Sequence, residues 1–343
     1  MARLTGLAVP LVVAALALPA PASGSTPSLD GSWASLQVPH LRVPPKTAHG
    51  YQYPSAVQLG RNRLPYPRWG VSSIAATADA AIVESETSQV AFGPLLELPT
   101  RGHAGRVLER HPLGIPLADP VGHLAFWSHR TAHRSRIVAY DTAAHTKTVG
   151  PKIHTDTRVF AVDGDTAYLL NYDGEVASWR PGDPAVSPLP AVDDRWFLND
   201  VHGDRVLYTD FEHGGLVVAD VAGTTLGTVP HAFYATFSPD GSAFVAWTRS
   251  GYRAYDAATL EKLPLSGLRG REAYQARWSP HGALVLTLAP SGSHPLAHPV
   301  PLRFAACSLI DGRCGALAGR SNSELEPYYE STALGQLIDL VGD

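Results

Sequence analysis

Cysteine occurs twice in this chain of 343 residues, methionine once and lysine four times (Lys46, Lys147, Lys152, Lys262). Two cysteines favour a disulfide over a metal cluster, and their spacing is not the C-x-x-C of a redox pair. Neither sign of charge dominates: 27 basic against 31 acidic residues leave −4, and no long basic stripe appears, so the electrostatic case for nucleic acid fails. Beyond the first two dozen residues no run approaches about 18 continuous apolar residues, so the mature chain is expected to have no membrane span. G-x-S-x-G, G-x-G-x-x-G, Walker A and H-E-x-x-H are all missing, so no local motif assigns a catalytic residue, a cofactor or a metal. "SPDGS" at Ser238 misses the S-x-D-x-G spacing of a sialidase Asp box, because Gly241 comes one residue early.

What is present is a chain that can bury a core. Apolar residues make up 45% and charged residues 17%, a balance that argues against disorder. Its 31 glycines and 29 prolines are spread along the length, and frequent short breaks suit many strands and turns better than long helices.

The start, "MARLTGLAVPLVVAALALPAPASG", has the form of a secretory signal. Arg3 is the positive n-region, Leu7 to Leu18 the short apolar stretch, and Ala20-Pro21-Ala22 a small-residue cleavage site. An uncleaved anchor or a buried N-terminal helix is the competing reading. No Cys follows the apolar stretch, which argues against a lipoprotein anchor. The expected location is therefore extracellular. In an exported chain Cys307 and Cys314, in "CSLIDGRC", are expected to pair. A four-residue loop from Leu309 to Gly312 would set Ser308 against Arg313 and Cys307 against Cys314; a strict two-residue Asp-Gly loop would offset them.

The strongest pattern is a repeat. "FSPDGSAFVAW" starts at Phe237 and "WSPHGALVLTL" at Trp278, 41 residues later. Weaker copies run backwards through "FLNDVHGDRVLY", "VFAVDGDTAYLL", "PLADPVGHLAFWS" and "SIAATADAAIVES". The turn position falls at 80, 122, 164, 203, 241 and 282, in steps of 42, 42, 39, 38 and 41. A second marker follows each turn: "AYD" at Tyr140-Asp141 and Tyr255-Asp256, "AD" at Ala219-Asp220, Trp179-Arg180 in the third copy. Each unit reads as strand, tight turn, strand, loop, strand, Asp-type turn, short strand. In the fifth unit these are "AFYATF", "AFVAWT", "YRAYD" and "EKLPL". One such sheet cannot bury both faces, whereas copies set radially bury each face on the next. A period near 40 points the same way.

The S-P-D-G turn and the aromatic-Asp ending resemble a secreted bacterial WD40/TolB-like β-propeller repeat protein. The classical Gly-His and regular Trp-Asp signature is missing. The resemblance implies an all-β, single β-propeller of seven blades of four antiparallel strands, over 65–343. Residues 1–22 are the signal peptide. The Pro-rich segment 23–64 is expected to contribute a closing strand, from "SWASLQVPHLRVPP" or "GYQYPSAVQLG", pairing with the C-terminal "YYESTALGQLIDLVGD".

Candidate site residues follow from this topology. Loops between second and third strands share one face of such a ring, and loops on a rigid scaffold commonly carry recognition. They are Glu84 to Ser88, Trp127 to Arg136, Asn171 to Gly174, Asp210 to Gly214, Thr248 to Gly251 and Ala289 to Pro301. The candidate binding face is His129, Arg130, His133, Arg134, Asp210, Phe211, His213, Arg249 and His294. The i, i+4 pairs His129/His133 and His294/His298 lie between strands, so helical ligand geometry does not follow and no metal is expected. Asp163, Asp165, Asp173 and Glu175 read as two hairpin turns, since the rest of a calcium loop is absent. The expected function is a secreted, monomeric, non-catalytic scaffold that binds an extracellular protein or a small ligand. The alternative is an exported propeller enzyme, a hydrolase or lyase for sugar or lactone-like substrates, with its site at the central channel. Carboxylates or His converging at the channel mouth would favour catalysis; scattered Arg, His and aromatic side chains on the rim would favour binding.

Overall fold

A computed structural model describes residues 40–42, 56–59, 62–63, 71–85, 93–99, 105–119, 121–130, 134–190, 196–279, 282–292, 303–309 and 311–316. Among them every regular element is a strand. An N-terminal sheet holds β1 (His40–Arg42), β2 (Ala56–Leu59) and β3 (Asn62–Arg63). Sheet I follows with β4 (Val71–Ala76), β5 (Ala80–Ser85), β6 (Leu95–Pro99) and β7 (Arg106–Glu109). Sheet II is β8 (Pro112–Ala118), β9 (Leu124–Arg130), β10 (Ser135–Asp141) and β11 (Thr146–Ile153). Sheet III is β12 (Arg158–Asp163), β13 (Thr166–Leu170), β14 (Val176–Trp179) and β15 (Ser187–Pro188). Sheet IV is β16 (Trp196–His202), β17 (Arg205–Asp210), β18 (Gly215–Asp220) and β19 (Thr225–Pro230). Sheet V is β20 (Ala232–Phe237), β21 (Ala243–Thr248) and β22 (Gly251–Asp256), and sheet VI is β23 (Arg271–Trp278), β24 (Leu284–Pro290), β25 (Arg303–Cys307) and β26 (Cys314–Ala316). Every pairing between these strands is antiparallel and sequential.

Five of the turn positions read from the spacing, 122, 164, 203, 241 and 282, lie in the turns after the first strand of sheets II to VI; in sheet I the turn comes earlier, and Ala80 is already the first residue of β5. Two of them are the Ser-Pro-x-Gly turns, closed by Gly241 N–H to Ser238 O at 2.8 Å and Gly282 N–H to Ser279 O at 3.0 Å. Gly241 has φ +68°, and a Cβ there would run into the His202 ring of sheet IV, so both its conformation and its neighbour demand glycine. Phe237 and Trp278 end the corresponding first strands, β20 and β23, one sheet apart.

Sheet V departs from the four-strand pattern. "EKLPL" makes no full strand: an isolated bridge joins Tyr255 to Lys262, and Leu263 N–H reaches Ala254 O at 2.8 Å. Pro264 follows at once and has no N–H to carry the ladder on. The chosen N-terminal candidates also behave differently. β1 falls within the first and β2 within the second, and the two pair with each other. The C-terminal "YYESTALGQLIDLVGD" and residues 1–22, the expected signal peptide, lie outside the described residues.

The core is a series of layers between sheets. In β9 successive side chains go opposite ways. Ala125 and Trp127 join Ile82 and Leu95 of sheet I, while Phe126 joins Leu169 and Trp179 of sheet III. In β21, Phe244 packs with Leu207 and Leu216 of sheet IV, and Val245 with Ala276 and Leu286 of sheet VI. Phe244 and Val245 are both fully buried, which a two-layer sandwich would not allow. The period-two alternation of a strand thus feeds two cores at once. Each such buried side chain stabilises by roughly 1.5–3 kcal/mol.

First strands lie beside one another, β4 by β8, β8 by β12, β12 by β16 and β16 by β20. All six are bulged: register slips between Val71 and Ser73, Leu113 and Leu117, Val159 and Ala161, Leu198 and Asp200, Phe233 and Ala235, and Ala273 and Gln275. A bulge sharpens twist and re-aims a side chain, which a strand crowded around an axis requires.

Candidate functional site

Residues of β8, β12, β16, β20 and β23 line one cavity of about 270 Å³, so five first strands face a common axis. Its polar lining includes Asp119, Asp163, Asn199, Asp200, His202 and Arg277. The carboxylates are occupied in holding backbone. Asp200 Oδ2 accepts from Phe237 N–H of sheet V at 2.8 Å and Oδ1 from Val201 N–H at 2.9 Å. Asp163 Oδ2 accepts from Gly203 N–H of sheet IV at 2.9 Å, with Oδ1 3.5 Å from His202 Nδ1. Asp119 accepts from Val121 N–H at 3.0 Å. The Asp200–Phe237 and Asp163–Gly203 contacts clip neighbouring sheets together at the turn end, and the Asp119 contact closes its own loop. Burial pushes the Asp200 carboxyl up to about 7, against the pull of its two amide donors, although the residue as a whole keeps some access to the cavity. Burial also raises Asp119. Among the described residues no group of three or more His, Cys, Asp or Glu is placed to hold a metal ion.

The opposite end carries different chemistry. In antiparallel sheets the start of each first strand and the turn between second and third strands meet there: Trp196 lies across from Asp210, and Phe233 across from Trp247. Aromatic side chains from sheets III, IV and V run along this end. Phe160 meets Phe197 edge to face at 5.1 Å between centroids, and Phe197 meets Phe211 at 6.3 Å. Phe211 stacks on Phe233 at 6.4 Å and touches Tyr234 at 6.0 Å, and Phe233 meets Trp247 at 6.0 Å. Three of these rings are open to solvent, Phe211 at 53%, Tyr234 at 51% and Trp247 at 39%, and so is Tyr172 in the turn after β13, at 91%. Beside them is a concavity of about 660 Å³, bounded by Asp156, Arg158, Tyr172, Asp173, Phe197 and Phe211 among others.

Two of the rings owe their direction to the bulges. Phe160 and Tyr234 occupy the skipped positions of β12 and β20. Tyr234 has φ +46°, a left-handed conformation uncommon outside glycine, Asn and Asp. Its N–H donates to Thr209 Oγ1 of sheet IV at 3.1 Å, and Asn199 Nδ2, at the β16 bulge, donates to the same oxygen at 2.9 Å. A side chain of one sheet thus holds the strained backbone of the next.

Of the nine residues expected on the binding face, Phe211 belongs to this aromatic run. Asp210, His213 and Arg249 lie at the same end. Asp210 is buried and ties its own turn, accepting from Glu212 N–H at 3.0 Å, His213 N–H at 2.9 Å and His213 Nδ1 at 2.9 Å. Arg249 is exposed in the turn two residues after Trp247. The loop expected from Trp127 to Arg136 is shorter: His129 and Arg130 are strand residues of β9, because β9 and β10 stay paired as far as Arg130 and Ser135. His129 turns into the seam with sheet I, its Nδ1 3.2 Å from Glu109 Oε2. Arg134 is exposed and engaged by neighbours. His133 and His294, like the Arg130 side chain, lie outside the described residues. Sequence reasoning missed Phe160, Tyr172, Phe197, Phe233, Tyr234 and Trp247. A signal existed: aromatic residues open or interrupt the first strand in three successive repeats, and Tyr172 sits inside an expected loop.

Cys307 and Cys314 form a disulfide and face each other across β25 and β26. Ser308 N–H meets Arg313 O at 2.9 Å, as the four-residue loop requires.

No family model matches the chain, and no curated protein matches it. Solved structures do. A protein from Lactobacillus plantarum is 12% identical, with 84% of this chain and 96% of that one covered and a TM-score of 0.53. The computationally designed Ika8 protein is 10% identical, with 84% and 89% covered and a TM-score of 0.51. With sheets buried on both faces and first strands around one axis, the architecture is decided. The fold is a β-propeller. An oligogalacturonate lyase solved with manganese is 10% identical, covers 83% of this chain and 85% of its own, and has a TM-score of 0.49. At these identities the likeness concerns fold, and function on a propeller is set by its site.

Proposed function

We propose that this propeller is a secreted, monomeric, non-catalytic binding scaffold that recognises an extracellular protein or small ligand at the aromatic end. In this reading the ring has seven blades, and the seventh joins N-terminal strands to the C-terminal tail. The single observation that carries the function is the aromatic run across three adjacent sheets, with Tyr172, Phe211, Tyr234 and Trp247 open to solvent. Contiguous exposed apolar surface is unusual on a soluble monomer, and rigid aromatic anchors dominate recognition surfaces. The channel supports the same side of the choice, because its carboxylates hold backbone amides, those of Asp163 and Asp200 across the seams between sheets. No helix among the described residues is long and apolar enough to cross a membrane.

The test uses the protein from residue 23 onward, immobilised and exposed to culture supernatant. Phe211→Ala and Trp247→Ala are each expected to weaken capture of the partner about tenfold or more. Leu226→Ala, at an exposed position on the outer strand β19, should leave capture unchanged. Capture that ignores both aromatic substitutions rules the reading out.

A further inference from the structure

The concavity beside Phe211 has the size of a small-molecule site, about 660 Å³. Its aromatic lining is not a flat shelf. Phe160 and Phe197 stand at 86° to one another, and Phe197 and Phe211 at 63°. Rings turned on each other wall off a corner, whereas stacking against a sugar ring or a base uses one open face. The rest of the lining is Leu170, Asn171 and Gly174 with three charged groups. Asp156 and Asp173 are exposed acids, set against one base, Arg158, whose stem lies where a Cβ on Gly114 would touch it at 3.4 Å. Two acids against one base leave the lining net negative, and ring faces are negative by their quadrupole.

Both features select a cation, and the rings select which kind. N–H groups of an ammonium turned toward the rings would lose water without an acceptor, at a cost in desolvation, and only those turned toward Asp156 or Asp173 would be paired. An alkylated ammonium has no such donors to leave unpaired, and its charge is drawn to ring faces. We propose that this concavity binds a small organic cation through a quaternary ammonium head, seated against Phe197, Phe211 and Tyr172 with Asp156 and Asp173 as countercharges. The proposal rests on the reading of this end as the recognition surface and names its ligand class.

Calorimetry with choline and its uncharged carbon isostere, 3,3-dimethyl-1-butanol, titrated into the full mature chain tests it. Choline is expected to bind saturably and the isostere not at all. Phe211→Leu, which keeps apolar bulk but removes the ring, should weaken choline roughly 2- to 30-fold. Asp173→Asn, at an exposed turn, should weaken it as well, and near-ultraviolet circular dichroism confirms that both variants are folded. Equal binding of the two compounds would mean plain apolar capture and overturn the proposal. So would no saturable binding of choline, or retention of phosphatidylcholine vesicles without binding of free choline. If choline fails while partner capture still depends on Phe211 and Trp247, the inference falls and the recognition surface stands. If capture ignores both residues, the reading itself falls.

Discussion

Asp200 illustrates how a bulge changes one residue's chemistry. The slip between Leu198 and Asp200 turns the carboxylate toward the axis, where it holds Phe237 N–H of the next sheet. Burial raises its pKa to about 7, the amide donors and nearby Asp163 being smaller influences. An acid raised in the fold keeps its proton longer than the unfolded chain does. Its contribution to stability is therefore greatest at low pH and declines as pH rises from the unfolded value of 3.8 to about 7, then levels off. The ceiling on that decline is roughly 4 kcal/mol. Asp200→Asn keeps an acceptor for the amides and removes the titration. Urea midpoints of the two proteins at pH 4.5 and 7.5 check this: the variant should gain on the parent as pH rises, and a gap that stays constant would refute the assignment. The identity of Asp200 as an interior acid was not legible in "FLNDVHG", because its partner is an amide some forty residues away in another sheet. Gly241 was legible, because a tight turn with positive φ requires glycine locally.

At the scale of elements, the β25–β26 hairpin shows local chemistry sufficing. The Cys spacing, the Asp-Gly pair and the four-residue loop lie within eight residues, and the structure pairs Cys307 with Cys314 in that register. The closed loop is short, so Cys307→Ser with Cys314→Ser should cost only about 2–3 kcal/mol in urea or thermal unfolding. Loss of folding in that double variant would show that the bond does more than clamp a hairpin. The six bulged first strands show the reverse. Val, Phe and Ala in "VFAVDG" fit an unbroken strand equally well, and neighbouring sheets crowd Phe160 and Tyr234 out of register. The fourth strand of sheet V fails for a simpler reason: the apolar letters of "EKLPL" suit a strand, but Pro264 has no N–H to extend the ladder past Leu263.

For the whole molecule, sheets I to VI bury apolar residues in the five layers between them, and the outward faces of sheets I and VI are where a seventh blade would lie. The proposed closure through the C-terminal tail carries a prediction. Deleting residues 317–343 should uncover large core side chains, lower stability by at least about 3 kcal/mol and raise binding of a hydrophobic dye. A truncated chain with the same unfolding midpoint and no added dye binding would show that the tail does not close the ring.

The repeat period, the turn glycines and the period-two alternation were determined by the sequence alone, because each is written in the order of residues along the chain; the Cys spacing admitted two hairpin loops, and the structure has the four-residue one. Which side chains meet at the ends of the ring was decided only by the tertiary structure. His129 and Phe211 look alike as loop candidates in one dimension. Pairing of β9 with β10 draws the first into a seam beside Glu109, while the meeting of sheets IV and V sets the second among Phe197, Phe233 and Tyr234. Contacts between sheets depend on bulge and twist, which are properties of packed neighbours and leave no periodic mark on the chain.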